Sequence, residues 1–526
     1  MDPRIEHVAD VTRVHAAERP EHPALLFEGR TTTWAELDRS ANRVAQGLLA
    51  NGISRGRSVA YLGKNTDVYF ELFFGVAKAG AVAVAVNWRL APPEIAYVLG
   101  DSEAQILFVE RPFLPQIEGI RADLRGLRKV VVIGEGHSAA EEYEGYASWR
   151  ESQSELDPLL VPNPDDAFVQ LYTSGTTGHP KGAQISSRCL LLALELQEAS
   201  GEDFFRVEPD DVGLAYLPLF HIGGSKVAFD QLYHGVSQLI LPQFDTGPIL
   251  AALQSHKIRR LFLAPTMIQM LLEDPRCRTT DFSGLEYVTY GGAPIAVDLL
   301  RRALPVLKCG FVQTYALTET TGLGAYLPPS EHDADGSERM LSAGRPHPGF
   351  EIRILDPDGG VLGPRETGEI CLRAPCLMLG YWKRPEATAK AFQGGWLHTG
   401  DAGYLDEDGY LYIHDRVKDM IVSGAENIYP AEVENVIANH PAVRSVAVIG
   451  VPDPKWGEAV KAIVVPEPGA SISAQEIIDY TKRHIAGYKR PRSVDFVSEL
   501  PVGPTGKVLR RELREPYWVG HDRRVI

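Results

Sequence analysis

The sequence predicts an α/β protein: a large N-terminal domain of mainly parallel sheets flanked by helices, with a small β subdomain, followed by a small mobile α+β domain. Up to about residue 320, short apolar runs alternate with segments of helical periodicity, which is typical of parallel strands covered by helices. From about 350 to 413, Asp-Gly turns separate the apolar runs, which favours antiparallel hairpins. The 526 residues exceed one hydrophobic core, so several domains are expected.

The alternation can be followed element by element. Strands are predicted at 58–62, 81–86 and 105–109, with helices at 67–79 and 93–100 between them, and further strands at 212–216, 237–241, 260–264, 287–289 and 311–314. Hairpins are expected for 351–355 with 368–373 and around 406–413. Pro430 then opens a helix, and strands follow at 445–451 and 459–465. The Ser-Ala-Gln-Glu capping box at 473–476 begins a last helix, which is expected to end at about 485.

Composition and charge argue against several classes of protein. The net charge of −16 argues against a nucleic-acid partner, because the phosphate backbone would be repelled. No apolar stretch reaches the roughly 18 residues of a membrane span, so no integral membrane segment is expected. The N-terminal residues lack the apolar core of a secretory signal and the five cysteines lack metal-ligand spacing, so a cytoplasmic protein is expected. The oligomeric state cannot be read from the sequence.

The segment 172–183 carries the strongest functional signal. It reads Tyr-Thr-Ser-Gly-Thr-Thr-Gly-His-Pro-Lys-Gly-Ala, with three glycines, five hydroxyl side chains and Lys181. Backbone N–H groups and hydroxyls in such a turn can cradle phosphate oxygens, and the lysine offsets their charge. It is not a P-loop, because His179 and Pro180 separate Gly178 from Lys181. The alternative is an ordinary flexible loop.

Two further segments suit a nucleotide but are weak when taken alone. At 313–319, Gln-Thr-Tyr-Ala-Leu-Thr-Glu follows a predicted strand, where Tyr315 can stack on a purine, Thr318 can bind phosphate and Glu319 can hold Mg²⁺. The alternative is a plain helix start. At 398–401, His-Thr-Gly-Asp precedes a predicted strand pair, where Asp401 can accept both ribose hydroxyls. The alternative is an ordinary turn.

Three more segments allow both a functional and an ordinary interpretation. The consecutive glycines Gly291 and Gly292 follow the strand at 287–289 and permit close ligand packing, although they also simply make turns. A turn at 503–507 presents Lys507 within a C-terminal stretch, 482–524, that has eleven basic and five acidic residues. This excess suits a polyphosphate partner, and a solvated surface is the alternative. The Gly-x-Gly-x-x-Ala match at 134–139 is rejected as a dinucleotide site, because no second apolar strand follows where it is required.

Together and in this order, these segments resemble the adenylate-forming superfamily, which comprises acyl- and aryl-CoA synthetases, luciferases and nonribosomal adenylation domains. The resemblance runs from about residue 20 to 512. Its motifs are the 172–182 loop, Leu-Pro-Leu-Phe-His at 217–221, Gly-Gly-Ala-Pro at 291–294, Tyr-x-x-Thr-Glu at 315–319, Thr-Gly-Asp at 399–401, Asp-Arg-x-Lys-Asp at 415–419, Gly-x-x-x-Ile-x-Pro-x-x-x-Glu at 424–434 and Pro-x-x-x-x-Gly-Lys at 501–507. Within the superfamily, the chain is most similar to bacterial fatty-acid–CoA ligases.

The resemblance implies domain boundaries and site residues. It implies an N-terminal adenylate-forming domain of residues 1–415, with the β subdomain at about 350–413, and a mobile C-terminal domain of residues 416–526 with its hinge near Lys418. The implied ATP site consists of Thr173, Ser174, Gly175, Thr176, Thr177, Gly178, Lys181, Gly292, Ala293, Pro294, Gln313, Thr314, Tyr315, Ala316, Leu317, Thr318, Asp401, Ile413, Arg416 and Lys507. The implied catalytic residues are Lys507, Glu319, Thr318 and Lys181, and the implied metal ligands are Thr173 and Glu319. The implied acyl pocket contains His221, Ile222, Gly223, Gly291 and Ala316, and the implied CoA and hinge residues are Asp415, Lys418, Gly424, Ala425 and Glu426.

The implied activity is that of an ATP- and Mg²⁺-dependent ligase, which converts a hydrophobic, fatty acid to acyl-AMP and transfers the acyl group to CoA. The partners are thus a small carboxylic acid, ATP and CoA. The alternatives are an aryl or polycyclic acid–CoA ligase, an adenylating enzyme that loads a carrier protein, and a non-catalytic nucleotide- or lipid-binding relative. Two departures from the usual motifs are Ala316, which adds a methyl group at the acyl pocket, and Ala425, which replaces a frequent glycine near the thiol tunnel.

Overall fold

The computed structural model describes residues 1–134, 143–173, 180–293, 295–416, 419–423, 426–453, 456–485, 487–503 and 508–519. At Asp415, Arg416, Val422, Glu426, Asn427 and Tyr488 the description covers the backbone alone. The strands are β1 Pro23–Phe27, β2 Arg30–Thr33, β3 Ser58–Leu62, β4 Val82–Val86, β5 Ile106–Glu110, β6 Lys129–Ile133, β7 Glu144–Gly145, β8 Ala167–Thr173, β9 Lys181–Ser186, β10 Val212–Ala215, β11 Ser237–Ile240, β12 Arg260–Leu263, β13 Tyr287–Gly291, β14 Gly310–Ala316, β15 Gly324–Leu327, β16 Arg345–Pro346, β17 Glu351–Leu355, β18 Gly368–Arg373, β19 Gly380–Tyr381, β20 Phe392–Gln393, β21 Trp396–Leu405, β22 Leu411–Arg416, β23 Ile421–Ser423, β24 Glu426–Ile428, β25 Val443–Asp453, β26 Gly457–Pro466 and β27 Ser493–Phe496.

The helices are α1 Val8–Glu18, α2 Trp34–Ala50, α3 Asp67–Lys78, α4 Pro92–Asp101, α5 Leu114–Ile120, α6 Tyr146–Glu151, α7 Ser187–Ala199, α8 Ile222–Tyr233, α9 Thr246–Ser255, α10 Pro265–Glu273, α11 Val297–Leu307, α12 Pro385–Ala391, α13 Pro430–Ala438, α14 Ala474–Lys482 and α15 Arg510–Trp518. The predicted α/β alternation is therefore confirmed. Ser473 and Glu476 form the expected capping box at the start of α14. That helix ends at Lys482, earlier than the position near 485 that the sequence indicated.

The strands of the large N-terminal part form mainly parallel sheets with antiparallel edges. The largest sheet has the order β19-β9-β8-β4-β3-β5-β6-β7, in which β9 runs opposite to the other described strands and is antiparallel to both β8 and β19. A second sheet has the order β12-β13-β14-β15-β16, in which β12, β13 and β14 are parallel. The third has the order β10-β11-β1-β2. The helix α3 lies between the largest sheet and the third sheet, where it contacts β4 and β1. Eleven of its residues are buried.

The remaining strands form the expected β subdomain and C-terminal domain. In the former, β17, β18, β21 and β20 form one antiparallel sheet, and β22 pairs with β21. In the latter, α13 and α14 pack near a sheet of order β24-β23-β26-β25 around its own apolar cluster. The exact boundary at residue 415 and the hinge at Lys418 stay predictions. Within the ranges given above, no helix has the length and apolar composition needed to cross a bilayer.

Three enclosed histidines predict acid-labile folding. Burial lowers the pKa of His7 and His332 to about 4 and that of His347 to about 3. Because these values lie below the unfolded value near 6.5, the stability they contribute is present above pH 6.5 and is lost as the pH falls toward 4. At pH 5.5 each histidine is expected to cost about 1.4 kcal/mol of unfolding free energy.

Thermal unfolding at pH 7.5 and 5.5 measures this loss. His332→Gln should show a smaller drop in Tm between the two pH values than the unmodified protein, because the glutamine cannot take up a proton. The ring of His332 contacts the Tyr290 hydroxyl through Nε2, at 2.9 Å, and the Pro328 carbonyl through Nδ1, at 3.0 Å. An equal drop in the two proteins would show that this imidazole does not contribute to acid lability.

Candidate active site

The glycine-rich loop connects two antiparallel strands of the largest sheet. Thr173 ends β8 and Lys181 begins β9, and the two residues are directly paired. The Tyr97 hydroxyl donates to the Pro180 carbonyl at 3.1 Å, which anchors the loop at its second end. Both ends of the loop are therefore set by the sheet. The predicted phosphate contacts Ser174, Gly175, Thr176, Thr177 and Gly178 lie outside the described residues.

A tyrosine joins two of the predicted catalytic side chains. The Tyr381 hydroxyl donates to Glu319 Oε1 at 2.7 Å, and Lys181 Nζ lies 5.0 Å from the centroid of the Tyr381 ring. Tyr381 reaches this position because β19 pairs with β9, which places it opposite Ala183. Sequence reasoning missed Tyr381, since no local pattern connects it to a loop two hundred residues earlier. The structure thus brings Lys181 and Glu319 to the same side of the sheet.

Glu319 is held in a short 3-10 turn, Thr318–Thr320. The hydroxyl of Thr320 accepts from the Leu317 amide at 2.9 Å, and the Met378 amide donates to the Glu319 carbonyl at 2.9 Å. Thr321 then takes a left-handed conformation with φ of 54°, which reverses the chain. The alternative interpretation of the sequence, a regular helix that starts at this point, is therefore wrong. The turn packs against β9, which brings it close to the ends of the glycine-rich loop.

Asp401 is paired with the predicted purine-stacking tyrosine. The Tyr315 hydroxyl donates to Asp401 Oδ2 at 2.8 Å, and Asp401 is only 5% exposed. The sequence placed 398–401 before a strand pair, and this was wrong: the segment lies inside β21, where it pairs with β18 and β22. The pairing with β18 shifts register between His398 and Ala402, and the pairing with β22 shifts between Ala402 and Gly403. These irregularities account for the turn-like sequence. Arg416 lies opposite Asp401 in β22, and Ile413 lies opposite Gly403.

Glu369 supports the segment that carries Asp401. Its Oε1 accepts from the Gly400 amide at 3.0 Å, and its Oε2 lies 2.8 Å from His398 Nδ1. Cys371 Sγ lies 3.5 Å from the same nitrogen, so these three side chains have the spacing of a metal site. Burial, however, raises the pKa of the Cys371 thiol to about 12, and both oxygens of Glu369 already have hydrogen-bonding partners. We interpret the group as support for Asp401, and no sequence pattern had indicated Glu369.

The predicted adenine wall is formed by β13 and β14. Gly291 lies opposite Thr314, and Tyr290 lies opposite Gln313. A Cβ on Gly291 would lie 2.5 Å from the Thr314 carbonyl oxygen, so glycine is required there for the strands to approach. Gly292 has φ of 80°, and the space where a side chain would project is open. This open space would leave room for a ligand. Ala293 follows it, and Pro294 lies outside the described residues.

The predicted acyl-pocket residues lie at the start of α8. His221 precedes the helix in extended conformation, its ring 4.6 Å from that of Phe220, and Ile222 and Gly223 form the first turn. A Cβ on Gly322 would lie 3.3 Å from Ile222 Cγ1, so this end of α8 lies against the chain that leaves the Glu319 turn. Ala316, at the end of β14, pairs with Gly324.

Other predicted residues are only partly described. Lys507, Lys418, Gly424 and Ala425 lie outside the described residues, as do the side chains of Asp415, Arg416 and Glu426. The residues that flank the lysine turn are described: Val502 pairs with Val508, and the Leu509 amide donates to the Pro501 carbonyl at 2.8 Å. The described residues on either side of 504–507 therefore lie next to each other.

Comparison with known proteins shows the family of the chain. A model of the AMP-binding enzyme family matches residues 12–382, and a model of the AMP-binding enzyme C-terminal domain matches residues 432–507. The chain belongs to the AMP-binding enzyme family. This AMP-binding enzyme is 40% identical over 524 residues to the fatty acid–[acyl-carrier-protein] ligase ScoC of Streptomyces coeruleorubidus, with 99% of each chain covered. It is 39% identical over 504 residues to the feruloyl-CoA synthase of an Amycolatopsis species, which covers 95% of this chain and 96% of the relative.

Among solved structures, the AMP-binding enzyme is similar to the anthranilate CoA ligase AuaEII in complex with anthranoyl-AMP. The TM-score is 0.89, the identity is 29%, and 98% of both chains is covered. The protein is therefore an AMP-forming ligase of the adenylate-forming superfamily. It uses ATP to join a small-molecule acid to the thiol of CoA or of a carrier protein.

The donor chemistry of the AMP-binding enzyme suits magnesium. Mg²⁺ prefers oxygen ligands and often takes one or two from the protein together with phosphate oxygens. Glu319 supplies a carboxylate whose Oε1 is oriented by Tyr381, and Thr173 supplies a hydroxyl at the end of β8. The Glu319 turn packs against β9, whose first residue pairs with Thr173. Glu319 and Thr173 therefore fit the ion.

Proposed function

We propose that this enzyme activates a hydrophobic, fatty acid with ATP and Mg²⁺ and transfers it to CoA in the cytoplasm. The observation that carries the proposal is the chain of contacts from Glu319 through Tyr381 to Lys181. It holds a carboxylate and an ammonium group beside the two fixed ends of the glycine-rich loop. A triphosphate in that loop would require both groups, one to hold a divalent cation and one to offset negative charge.

In the first half-reaction, a carboxylate oxygen of the acid attacks the α-phosphorus of ATP. The new O–P bond forms as the bond to the β-phosphate oxygen breaks, and pyrophosphate leaves. Bound Mg²⁺ would neutralise charge on the phosphate oxygens. Lys181 and Thr318 bind the phosphates, Asp401 orients the ribose, and Lys507 holds the acid against the α-phosphate. The roles of these four residues are part of the proposal.

In the second half-reaction, a thiolate attacks the acyl carbon and AMP leaves with the bonding electrons. Lys507 cannot hold the α-phosphate while a thiol channel opens beside it, so the C-terminal domain must reorient between the two steps. The proposed hinge is Lys418, and the proposed thiol tunnel is lined by residues 424–426. The ion pair of Arg444 with Glu273, at 2.7 Å, joins the two domains in the arrangement described here and would have to break.

Support for a hydrophobic acid comes from the apolar surroundings of the acyl pocket. Phe220 and Leu219 are buried, and Ile222 packs on the main hydrophobic cluster. The relative named as a fatty acid–[acyl-carrier-protein] ligase favours a second candidate, in which the thiol belongs to a carrier protein. The feruloyl-CoA synthase favours an aryl acid.

A single assay separates these candidates. Purified protein is supplied with ATP, Mg²⁺ and a panel of fatty, aryl and polycyclic acids, and AMP and pyrophosphate are measured with CoA, with a phosphopantetheinylated carrier protein, or with neither. The expected result is pyrophosphate release that depends on a fatty acid and thioester formation with CoA. Thioester on the carrier alone would replace CoA in the proposal, and no AMP with any acid would overturn it.

A further inference from the structure

A buried ion pair lies beside the acyl pocket and has no role in the reaction described above. Lys226 is one helical turn after Ile222 on α8, and its side chain is only 4% exposed. Its Nζ donates to Gln197 Oε1 and to Asp230 Oδ2, both at 2.5 Å. Asp230 lies one further turn along the same helix. The pair therefore forms a polar stripe on the face of α8 that begins with the pocket residue Ile222.

Fold stability alone is a weak explanation of this pair. Taking two charges out of water is costly, and replacing a buried ion pair with apolar residues of similar size is often neutral or stabilising. Burial raises the pKa of Asp230, and the neighbouring Lys226 charge opposes that rise. Around the pair, α7 and α8 are otherwise largely apolar on their buried faces. The pair is therefore a candidate for a role in substrate binding.

Hydrogen-bonding groups near the pair lack partners. Within the part of the chain that the structure describes, Asp230 Oδ1 and both ring nitrogens of His347 are enclosed and bind no other group. His347 is 1% exposed, and burial together with the Lys226 charge keeps its imidazole neutral at pH 7. Enclosed polar atoms nearly always have partners. A ligand group is one way to provide them.

The position of the pair points to the acid as that ligand. A Cβ on Gly322 would lie 2.9 Å from Lys226 Cδ and 3.3 Å from Ile222 Cγ1. Gly322 follows the Glu319 turn by two residues, so the Lys226 stem lies against the same segment that brings Glu319 to the phosphates. From Ile222 to Lys226 and Asp230, α8 leads away from the site of adenylation.

We propose that Lys226 and Asp230 form a polar subsite in the acyl pocket, which recognises a hydroxyl group on the acid away from its carboxylate. The hydroxyl donates to Asp230 Oδ1 and accepts from the third N–H of Lys226, and His347 lines the subsite. A second carboxylate or an ammonium group is disfavoured, because the pair is already neutral and either would add an uncompensated charge. This inference rests on the proposed function and narrows its substrate class to hydroxylated fatty acids.

The test compares fatty acids of equal length, unsubstituted or with one hydroxyl at successive positions. The unmodified enzyme should form AMP with one hydroxylated isomer at a kcat/KM about 10- to 100-fold above that of the unsubstituted acid. Lys226→Met/Asp230→Leu removes both charges together, so no lone charge remains buried. It should lose this preference while keeping its kcat/KM for the unsubstituted acid within about threefold.

The matched control is the exposed pair of the same spacing on α11, Arg302→Met/Asp298→Leu, which should keep the preference. Should the double variant fail to fold, His347→Phe keeps an aromatic ring, although a larger one, removes both ring nitrogens and should lower the preference for the hydroxylated acid. A preference that survives in Lys226→Met/Asp230→Leu, or unsubstituted acids used best by the unmodified enzyme, would overturn the subsite. Absence of AMP with every acid would instead count against the proposed function itself.

Discussion

Glu319→Gln is expected to lower the rate of acyl-adenylate formation by about 100- to 1,000-fold. Glutamine has nearly the same shape and can still accept the 2.7 Å hydrogen bond from Tyr381, so the turn should keep its conformation. What the variant loses is the negative charge that would bind Mg²⁺ next to the phosphates. The measurement is acid-dependent pyrophosphate release as a function of Mg²⁺ concentration, which should need more magnesium for half-maximal rate.

Glu331 provides a matched control for this variant, because it is also a glutamate that is hydrogen-bonded to a tyrosine. Glu331 also accepts a tyrosine hydroxyl, from Tyr410 at 2.8 Å, in a part of the protein without an assigned role in the reaction. Glu331→Gln should leave pyrophosphate release unchanged. Tyr381→Phe keeps the ring beside Lys181 and should cost less than Glu319→Gln, since it removes only the hydrogen bond that orients the carboxylate. Full activity in Glu319→Gln would remove Glu319 from the metal site.

Lys507→Ala should have the other large effect and should act on one half-reaction only. Acyl-AMP formation should fall by about 100- to 1,000-fold, because in the proposed mechanism the Lys507 charge holds the acid against the α-phosphate. Transfer to CoA from chemically prepared acyl-AMP should change by less than about threefold, because the proposed reorientation would take Lys507 out of the site. Single-turnover assays of the two steps measure this contrast.

Lys482→Ala is a suitable control for the lysine variant. Lys482 lies in the same domain at the end of α14, and its side chain is about half exposed and paired with Asp479. Both half-reactions should keep their rates in this protein. If Lys507→Ala slowed both steps equally, the proposal that Lys507 acts in adenylate formation and not in transfer to CoA would be wrong.

The sequence alone could predict the local elements, because they depend on short-range periodicity. Helices and strands such as α3, β3, β4 and β5 appear where apolar spacing indicated them, and the Ser473 capping box begins α14. Their ends were less certain: β13 continues through Gly291, and α14 ends at Lys482. Strand and helix ends depend on pairing and packing with distant residues, which spacing along the chain does not reveal.

The candidate site was predictable where its residues lie in contiguous motifs. The phosphate loop, Tyr315, Glu319, Asp401 and the acyl-pocket residues were all named from their neighbours in sequence. Tyr381, Glu369 and Lys226 were not, although each contacts a motif residue or lies beside one. Tyr381 and Glu319 are 62 residues apart, Glu369 and Gly400 are 31 residues apart, and the Lys226 stem lies against the distant Gly322, so no local pattern marks these three residues.

By itself, the sequence determined the α/β class, the order of motifs and hence the family and its adenylating chemistry, because these depend on residue type and local spacing. The tertiary structure alone decided that 398–401 lies within a strand, that Tyr381 connects Lys181 with Glu319, and that a buried Lys226–Asp230 pair follows Ile222 on α8. Each of these depends on how sheets and helices are placed against one another. That placement is set by burial and strand pairing over the whole chain.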